Sequence, residues 1–272
     1  MNPSRPHRWR KLAGLVLLVL TLYGVGAYLV APDLWWRHEH HPGLVGRPML
    51  TRTTAGIPGD PINVGLVGST ADIAAAMHAA GWRPADPVTL RSSLAIGLSV
   101  ILDRPYPDAP VSPLLFEGRP QDLAFEKPVG GSADRRHHVR FWKVLDTNEG
   151  PLFLGAASFD RSVGFSHLTG QITHHIAPDV DTERAFVIES LEAAGRLVRR
   201  YFIAGSGPTL NGRNGGGDRY VTDGEILVGV LLPGGHPETA ARGSAEVDRD
   251  PWWIAMRRRI WALATSVARH GA

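Results

Sequence analysis

The stretch from residue 136 to residue 160 reads RHHVRFWKVLDTNEGPLFLGAASFD. It holds two segments, 138–145 and 152–159, whose β-branched and aromatic content and whose length are typical of strands. The connection between them is too short for a crossover helix. We therefore predict that the two segments pair as antiparallel strands rather than in a βαβ unit.

Comparable segments lie on both sides of this stretch and extend the predicted sheet. Gly, Pro, Asn or Asp residues bound them, as expected for strands joined by turns. A last pair of strands, joined through Asp223-Gly224, is predicted to close a hairpin. The further predicted strands are 62–67, 114–117, 122–127, 171–176, 219–221 and 225–232.

Apolar residues at helical spacing predict helices between these strands. The first follows Ser69 or Thr70 and ends at Gly81, the second covers 88–102, and a long amphipathic helix covers 182–201. We therefore expect an α+β fold: a mixed or antiparallel sheet with two or three packed helices, preceded by one transmembrane helix. Residues 205–217 form a glycine-rich segment, which we expect to be a surface loop.

An uncharged apolar run, Leu12–Val30, follows a basic N-terminus that contains Arg5, Arg8, Arg10 and Lys11. A run of this length covers the roughly 30 Å hydrocarbon core of a bilayer. Trp35 and Trp36 follow where an aromatic belt would meet the headgroups. The alternative is a cleaved signal peptide, with Val25-Gly26-Ala27 as the cleavage site.

The basic flank places residue 1 in the cytoplasm by the positive-inside rule and predicts a single-pass protein of the cell membrane with an extracytoplasmic C-terminal domain. The expected organisation is a cytoplasmic stub and anchor (1–36), a linker (37–60), one domain (61–235) and a tail (236–272). A net charge of +3 disfavours nucleic-acid binding, and the absence of cysteine excludes disulfides and thiolate chemistry.

The tail carries a predicted amphipathic helix that begins at Asp250-Pro251 and runs to about residue 268. Its tryptophans and arginines are typical of a helix that lies in a bilayer interface. The alternative is a terminal helix packed on the core of its own domain. With Trp35 and Trp36, the predicted interface residues are Trp253, Arg257, Arg258 and Arg259.

Eight short segments follow one another along the chain: NVGLVGS (63–69), AAGW (79–82), ADPVTLRSS (85–93), PVSPL (110–114), QDLAFEK (121–127), RHHVRFW (136–142), ASFD (157–160) and THHI (173–176). Their order resembles the LssY C-terminal domain family, named for a component associated with a type I secretion system. In similar proteins the domain lies behind a membrane anchor or is fused to DedA-like and type-2 phosphatidic acid phosphatase domains. The resemblance implies lipid or polyprenyl-phosphate metabolism at a bacterial membrane, and it carries no catalytic residues.

Neighbouring strand residues point to opposite faces of a sheet, so at most one histidine of each His-His pair can join a given site. If the strands are neighbours, His138, Arg140, Asp160 and His174 could converge as a catalytic group that acts on a phosphoester. Arg136, Arg140 and Arg161 could bind its phosphate. The alternative is that these arginines pair with acids on a solvated sheet face.

The metal hypothesis uses His138, His167, His174 and Asp179, which offer imidazole and carboxylate ligands. No recognised motif requires a cofactor. The main functional expectation is an accessory module of envelope lipid metabolism or export. It would recognise a phosphorylated lipid headgroup or a partner membrane protein. Its expected partners are the lipid bilayer and other membrane proteins of an envelope lipid or export system. The alternatives are a phosphoester hydrolase at the membrane surface and a non-catalytic scaffold of a secretion assembly.

Overall fold

The computed structural model describes residues 5–33, 43–44, 46–85, 114–130, 135–170, 172–205, 212–235 and 246–247, with isolated helical residues between 252 and 266. The chain divides into two compact units, Met1–Val45 and Gly46–Ala272. The predicted helix at 88–102, the caps at Asp250 and Pro251, and the tryptophans Trp35 and Trp36 lie outside the described residues.

The first unit is one long apolar helix. Helix α1 (Arg5–Val25) continues through a wider π-helical turn, Gly26–Val30, and stays helical to Asp33. The segment Trp9–Asp33 has a mean hydropathy of 2.2 and is long and apolar enough to cross a membrane. Such a helix satisfies its own backbone hydrogen bonds, so it is suited to a single-pass anchor.

The second unit contains helices α2 (Thr70–Ala79) and α3 (Val180–Ala193) and a large mixed sheet. The predicted α+β class is therefore confirmed. The strands are β1 (Leu50–Thr53), β2 (Pro58–Pro61), β3 (Val64–Val67), β4 (Arg83–Pro84), β5 (Leu114–Phe116), β6 (Arg119–Pro120), β7 (Leu123–Pro128), β8 (Arg136–Thr147), β9 (Gly150–Phe165), β10 (Ile172–Ile176), β11 (Leu197–Ala204), β12 (Gly212–Arg213), β13 (Arg219–Tyr220), β14 (Glu225–Leu231) and β15 (Glu246–Val247).

The large sheet has the order β15-β11-β14-β3-β9-β8-β7-β4, and β10 also pairs with β9. The pairs β14–β3 and β11–β15 are parallel, whereas the other pairs are antiparallel. Strands β8 and β9 form the predicted hairpin, in which His138 lies opposite Ser158 and Arg136 opposite Asp160. A smaller sheet has the order β2-β1-β5-β6.

Helices α2 and α3 contribute to one hydrophobic core with one face of the large sheet. Ile73 and Met77 of α2 and Leu191 of α3 are fully buried there, with Val139 and Phe141 of β8. Helix α2 begins at the predicted cap: the Ser69 hydroxyl accepts from the Asp72 amide, and the Asp72 carboxylate accepts from the Ser69 amide.

The opposite face of β8 meets the smaller sheet. Trp142 packs against Phe116 of β5 with ring centroids 5.8 Å apart, and its indole donates to the Arg119 carbonyl at 3.1 Å. The alternation predicted along β8 is present, because Val139 and Phe141 face the helices while Trp142 faces the smaller sheet.

Asn63 fills a gap along the edge of β9 between the first residue of β3, which lies opposite Gly155, and the last residue of β10, which lies opposite Asp160. Its amide nitrogen donates to the carbonyls of Ala157 and Val180 at 3.0 and 2.8 Å. Its amide oxygen accepts from the Ala157 backbone amide at 2.9 Å. The side chain therefore takes the place of a ladder residue and keeps the edge of β9 hydrogen-bonded.

The predicted helix over 182–201 is too long. Helix α3 ends at Ala193, Gly195 adopts a positive φ of 65°, and β11 begins at Leu197. A left-handed glycine just beyond a helix is a common stop signal. Residues 197–204 form the strand next to β14 because their β-branched and aromatic side chains suit a sheet.

The predicted hairpin of 219–221 with 225–232 is wrong. Strand β13 pairs with β12, while β14 is fully buried between β11 and β3. Two backbone partners already occupy both edges of β14, so β13 cannot pair with it. Residues 212–217, expected to be a surface loop, contain β12 and a turn around the buried Asn214.

The segment predicted as a linker, 37–60, contains β1 and most of β2. Thr51 and Asp60 are buried there, and the Thr51 hydroxyl donates to the Asp60 carbonyl at 2.8 Å. The second unit therefore contains strands that begin before residue 61. Gly and Pro residues break the periodicity of these short strands, which explains why the sequence pattern did not indicate them.

Candidate functional site

A cluster of buried polar side chains lies on the face of the large sheet that is turned away from the helices. Strand β8 contributes Arg136, His138 and Arg140, because every second residue of a strand points to the same face. The register places Ser158 and Asp160 of β9 directly beside them. We call this set, with Glu126, His174 and Asp60, the polar cluster.

Arg136 is held by two carboxylates. Its Nη1 donates to Glu126 at 2.7 Å and its Nε donates to Asp160 at 3.0 Å. Its Nη2 lies 3.5 Å from Nε2 of His174. Since both neighbouring acids already accept from it, Arg136 positions Asp160 and His174 rather than offering a free fork to a ligand.

His138 lies at the centre of the polar cluster and is 8% exposed. Its Nε2 lies 2.7 Å from Nη1 of Arg140 and 3.2 Å from the Ser158 hydroxyl. A guanidinium can only donate, so Nε2 accepts and the imidazole proton is on Nδ1. Nδ1 faces Oδ1 of Asp160 at 3.1 Å.

That last contact is short but not aligned as a hydrogen bond. Nδ1 of His138 and Oδ1 of Asp160 are both buried without a hydrogen-bond partner among the described residues. An unpaired buried polar atom destabilises a fold by about 1–3 kcal/mol. This pair therefore marks a place where a small movement or a bound molecule would complete the hydrogen bonding.

Arg140 is the least compensated cation of the polar cluster. It is 5% exposed, and the nearest carboxylate, that of Asp60, lies 3.9 Å from its Nη1. Burial lowers the pKa of Arg140, which Asp60 and Asp160 offset in part and Arg136 reinforces. Its one side-chain hydrogen bond to a described residue is the one to the imidazole of His138.

The pKa values of two other groups in the polar cluster, Asp160 and His174, are also shifted by burial and by their charged neighbours. Burial alone would raise the pKa of Asp160, but His138, His174 and Arg136 lower it well below its ordinary range. Burial lowers the pKa of His174; Asp160 opposes that effect, whereas Arg136, His138 and Arg140 add to it. Asp160 is therefore ionised and His174 neutral at pH 7.

The four residues predicted as a catalytic group lie within this one cluster. Of the three predicted phosphate ligands, Arg136 and Arg140 belong to it, but Arg161 is exposed. Arg161 follows Asp160 at a bulge in the pairing of β9 with β10 and lies outside the polar cluster. Whether these residues bind or catalyse remains a prediction.

The four predicted metal ligands are divided among separate places. His138 and His174 belong to the polar cluster, whereas Asp179 caps α3 by accepting from the Thr182 amide at 3.1 Å. His167 lies instead with His175 and Asp218. Among the described residues, no other group of three His, Asp or Glu side chains brings its ligand atoms within 4.8 Å.

Sequence reasoning missed Ser158 and Asp60 as members of this cluster, and it considered Glu126 only as an acid that could pair with an arginine, which it does with Arg136. Ser158 could have been found from strand alternation, because it stands two residues before Asp160. Glu126 required the register of β7 against β8. Asp60 comes from a segment that sequence alone assigns to a linker, so nothing in the pattern indicates it.

His137, the neighbour of His138, belongs to the other face. Its Nδ1 lies 2.7 Å from Glu183 of α3, and its ring stacks on Phe186 with centroids 3.9 Å apart. The two adjacent histidines therefore have different surroundings, and His137 joins the sheet to the helix.

The tail residues that the structure describes are helical and present an exposed apolar stripe. Trp252, Met256, Ile260 and Leu263 are 72%, 50%, 57% and 69% exposed, and Arg259 is exposed beside them. This exposure differs from the alternative of a helix packed on the core. The predicted interface residues Trp253, Arg257 and Arg258 lie outside the described residues.

Comparison with known proteins gives one match. A family model described as LssY C-terminus matches residues 44–226, which contain the whole polar cluster. No curated protein and no solved structure shows a significant match.

Proposed function

The chain belongs to the LssY C-terminus family, and from that premise we propose that it is a membrane-anchored module that binds the phosphate of a lipid headgroup. The observation that carries the proposal is Arg140: a buried guanidinium 3.9 Å from its nearest carboxylate and hydrogen-bonded to the imidazole of His138. A buried charge is favourable only where close, hydrogen-bonded partners compensate it, and the Asp60 carboxylate lies beyond hydrogen-bond reach of Arg140. A phosphate oxygen would supply such a hydrogen-bonded partner.

A phosphate suits this place better than a neutral ligand. A guanidinium presents its N–H groups in a fork that matches two phosphate oxygens, and hydrogen bonds between charged groups are short and strong. Ser158 and the Nδ1–H of His138 provide further donors within the same cluster. The low exposure of the cluster strengthens each of these bonds by excluding water.

Two features support a lipid as the source of the phosphate: the anchor, and the membrane-protein and phosphatase domains to which this domain is fused in similar proteins. The apolar helix Trp9–Asp33 suits an uncleaved anchor that keeps the domain at a bilayer surface. The exposed apolar stripe of the tail, with its neighbouring arginines, suits a second contact with anionic lipid. We place the domain on the extracytoplasmic side because the basic residues precede the apolar run.

Binding is tested with the full chain in detergent and short-chain phosphatidic acid, by isothermal titration calorimetry. Arg140→Gln should weaken binding by more than about tenfold, because hydrogen bonds to charged groups contribute about 1.5–3 kcal/mol. Arg161→Gln is the matched control, since this exposed arginine lies on the neighbouring strand β9 and outside the polar cluster. Short-chain phosphatidylcholine and inorganic phosphate separate headgroup recognition from binding of any phosphate.

Equal affinity of Arg140→Gln and the unchanged chain would refute the proposal. Because Arg140 is buried, thermal unfolding of each variant must accompany the titration. Arg140→Lys keeps the charge but loses the fork, so it should bind with intermediate affinity. Loss of binding in Arg161→Gln as well would indicate a general surface effect instead of the polar cluster.

A second candidate, a phosphoester hydrolase, is favoured by the position of His138 between Asp160 and Ser158. Asp160 lies 3.1 Å from Nδ1 of His138 and would orient the imidazole once that contact is aligned, and the Ser158 hydroxyl lies 3.2 Å from Nε2, which would accept its proton. The same titrated samples should then release inorganic phosphate, and Ser158→Ala should abolish the release. Binding without release supports the binding module alone.

A further inference from the structure

A second cluster of potential ligands lies on the opposite face of β10 from His174. Nδ1 of His175 is 2.8 Å from Oδ1 of Asp218, and Nε2 of His167 is 3.7 Å from the same oxygen. The ligand atoms of the three residues all lie within 4.8 Å of one another. The rings of His167 and His175 are 5.1 Å apart at their centroids.

Backbone contacts hold this arrangement in place. The Ile176 amide donates to Oδ2 of Asp218 at 3.2 Å, and the Asp218 amide donates to the side-chain oxygen of Asn214 at 2.9 Å. The His167 amide donates to the Gly216 carbonyl at 2.9 Å. The carboxylate of Asp218 is thus fixed between β10 and the turn around Asn214. The connection between β9 and β10, which contains His167, is hydrogen-bonded to the same turn.

Glycines allow the close approach of these segments. Gly217 has a positive φ of 87°, and a Cβ there would lie 2.8 Å from Cβ of His167. A Cβ at Gly164 would lie 2.7 Å from Nε2 of His175. Larger residues at either position would displace one of the two imidazoles.

The ligand set has the chemistry of a divalent transition-metal site. Two imidazoles and one carboxylate suit zinc, iron or manganese, and catalytic zinc sites keep three protein ligands with an open position. Tetrahedral ligands about 2.1 Å from an ion are roughly 3.4 Å apart, and the two separations from Asp218 lie on either side of that value. The imidazole of His167 is 62% exposed, which leaves one side open to water.

We infer that His167, His175 and Asp218 bind one divalent transition ion of the zinc class with an open coordination position. In this arrangement the ion takes the place of the hydrogen bond between Nδ1 of His175 and Oδ1 of Asp218, the ring proton of His175 lies on Nε2, and His167 moves onto the ion from solvent. The site is separate from the polar cluster, because His174 and His175 point to opposite faces of β10. It also joins the turn that contains Asn214 to the β9–β10 hairpin.

The test is zinc binding by the full chain in detergent, measured by competition with a chromophoric chelator. His38, His40 and His41 are first replaced by asparagine, so that these N-terminal histidines do not contribute. One equivalent of zinc should bind, and cobalt should give the visible absorption of a nitrogen- and oxygen-ligated ion. His167→Ala should weaken zinc binding by more than about tenfold, since even outer-shell partners change affinity by about 10–100-fold.

The controls separate a lost ligand from a lost fold. His167 is exposed, so His167→Ala should keep its thermal unfolding temperature in the presence of chelator. His78→Ala removes an exposed histidine from α2 and should leave zinc binding unchanged. Zinc affinity that is the same in His167→Ala and the unchanged background, or no bound zinc at all, would overturn the inference.

Discussion

Asp160 is the carboxylate on which the charges of the polar cluster depend, so its removal should be severe. Asp160→Asn leaves Arg136 and His138 beside a neutral amide, and breaking a buried ion pair typically destabilises a protein by about 3–5 kcal/mol. We expect a loss of that size at pH 7 in chemical unfolding of the full chain. Asp146→Asn is the control: its carboxylate is 71% exposed and should change stability by less than about 1 kcal/mol.

The same variant has a defined pH dependence. Because the folded pKa of Asp160 lies below its ordinary value of 3.8, the stabilisation is complete above that pH and declines as the pH falls below it. The difference between the unchanged chain and Asp160→Asn should therefore be smaller at pH 3 than at pH 5, a window that lies below the ordinary pKa of histidine. A difference that grows between pH 5 and pH 3 would contradict the assigned ionisation.

His174 should oppose stability on the acidic side of neutrality. Its folded pKa lies below the ordinary value of 6.5, so the unfolded chain binds the proton first, and stability falls as the pH drops through 6.5. His174→Gln should flatten the pH dependence of the unfolding temperature between pH 7.5 and pH 5.5. The exposed histidine variant His78→Gln should not, and an equal effect of both would count against this environment for His174.

For individual residues, most of what could be predicted from the sequence came from the alternation of side chains along the strands. Alternation along β8 was enough to place His138 and Arg140 on one face and His137 on the other. It could not rank the arginines, because only the observed partners separate Arg136, which two carboxylates hold, from Arg140. Alternation also could not show which of the two histidines, His174 or His175, lies beside His167. That depends on the turn that brings Asp218 to this face.

The junction of α3 and β11 depends on a single glycine. Gly195 has a φ of 65°, and a side chain in this conformation costs roughly 1–2 kcal/mol unless it is asparagine-like. Gly195→Ala should therefore lower the free energy of unfolding by about 1 kcal/mol. Gly195→Asn should lose less, and equal losses for both variants would show that space, and not backbone conformation, limits this position.

This junction also shows why the boundary between helix and strand was misplaced. Val187, Leu191, Ala194, Val198 and Tyr201 continue a helical stripe through the glycine, so periodicity alone favours one long helix. Leu197–Ala204 forms a strand instead because the edge of β14 provides backbone hydrogen-bonding partners along its whole length. That partner is distant in sequence, so local pattern cannot reveal it. By contrast, α2 was predicted closely, because its capping box is local.

For the whole molecule, the absence of cysteine makes the orientation directly measurable. Single-cysteine variants Ser4→Cys and Ala272→Cys can be treated with a membrane-impermeant maleimide on intact cells. With the domain outside the cytoplasm, only Ala272→Cys should be labelled before lysis, and both should be labelled after it. Labelling of Ser4→Cys alone would reverse the proposed orientation.

The tail helix should contact anionic lipid through its exposed stripe. A dye on Met256→Cys should shift its emission to the blue in bilayers that contain phosphatidic acid, since Met256 belongs to that stripe. A dye on Ala262→Cys, away from the stripe, is the matched control. Replacing Arg257, Arg258 and Arg259 by alanine should abolish the shift, and a shift that persists would exclude the electrostatic contribution.

Which of the two adjacent histidines of β10 joins which cluster depends on the register of β10 against β9. His174 faces the polar cluster and His175 faces Asp218, only because the side chains of a strand alternate. A natural insertion or deletion of one residue between Phe165 and Thr173 that slid β10 by one step along β9 would exchange the two imidazoles between the faces. Relatives with a longer hairpin should therefore have two additional residues rather than one. A single additional residue should go with the loss of both the polar cluster and the group formed by His167, His175 and Asp218.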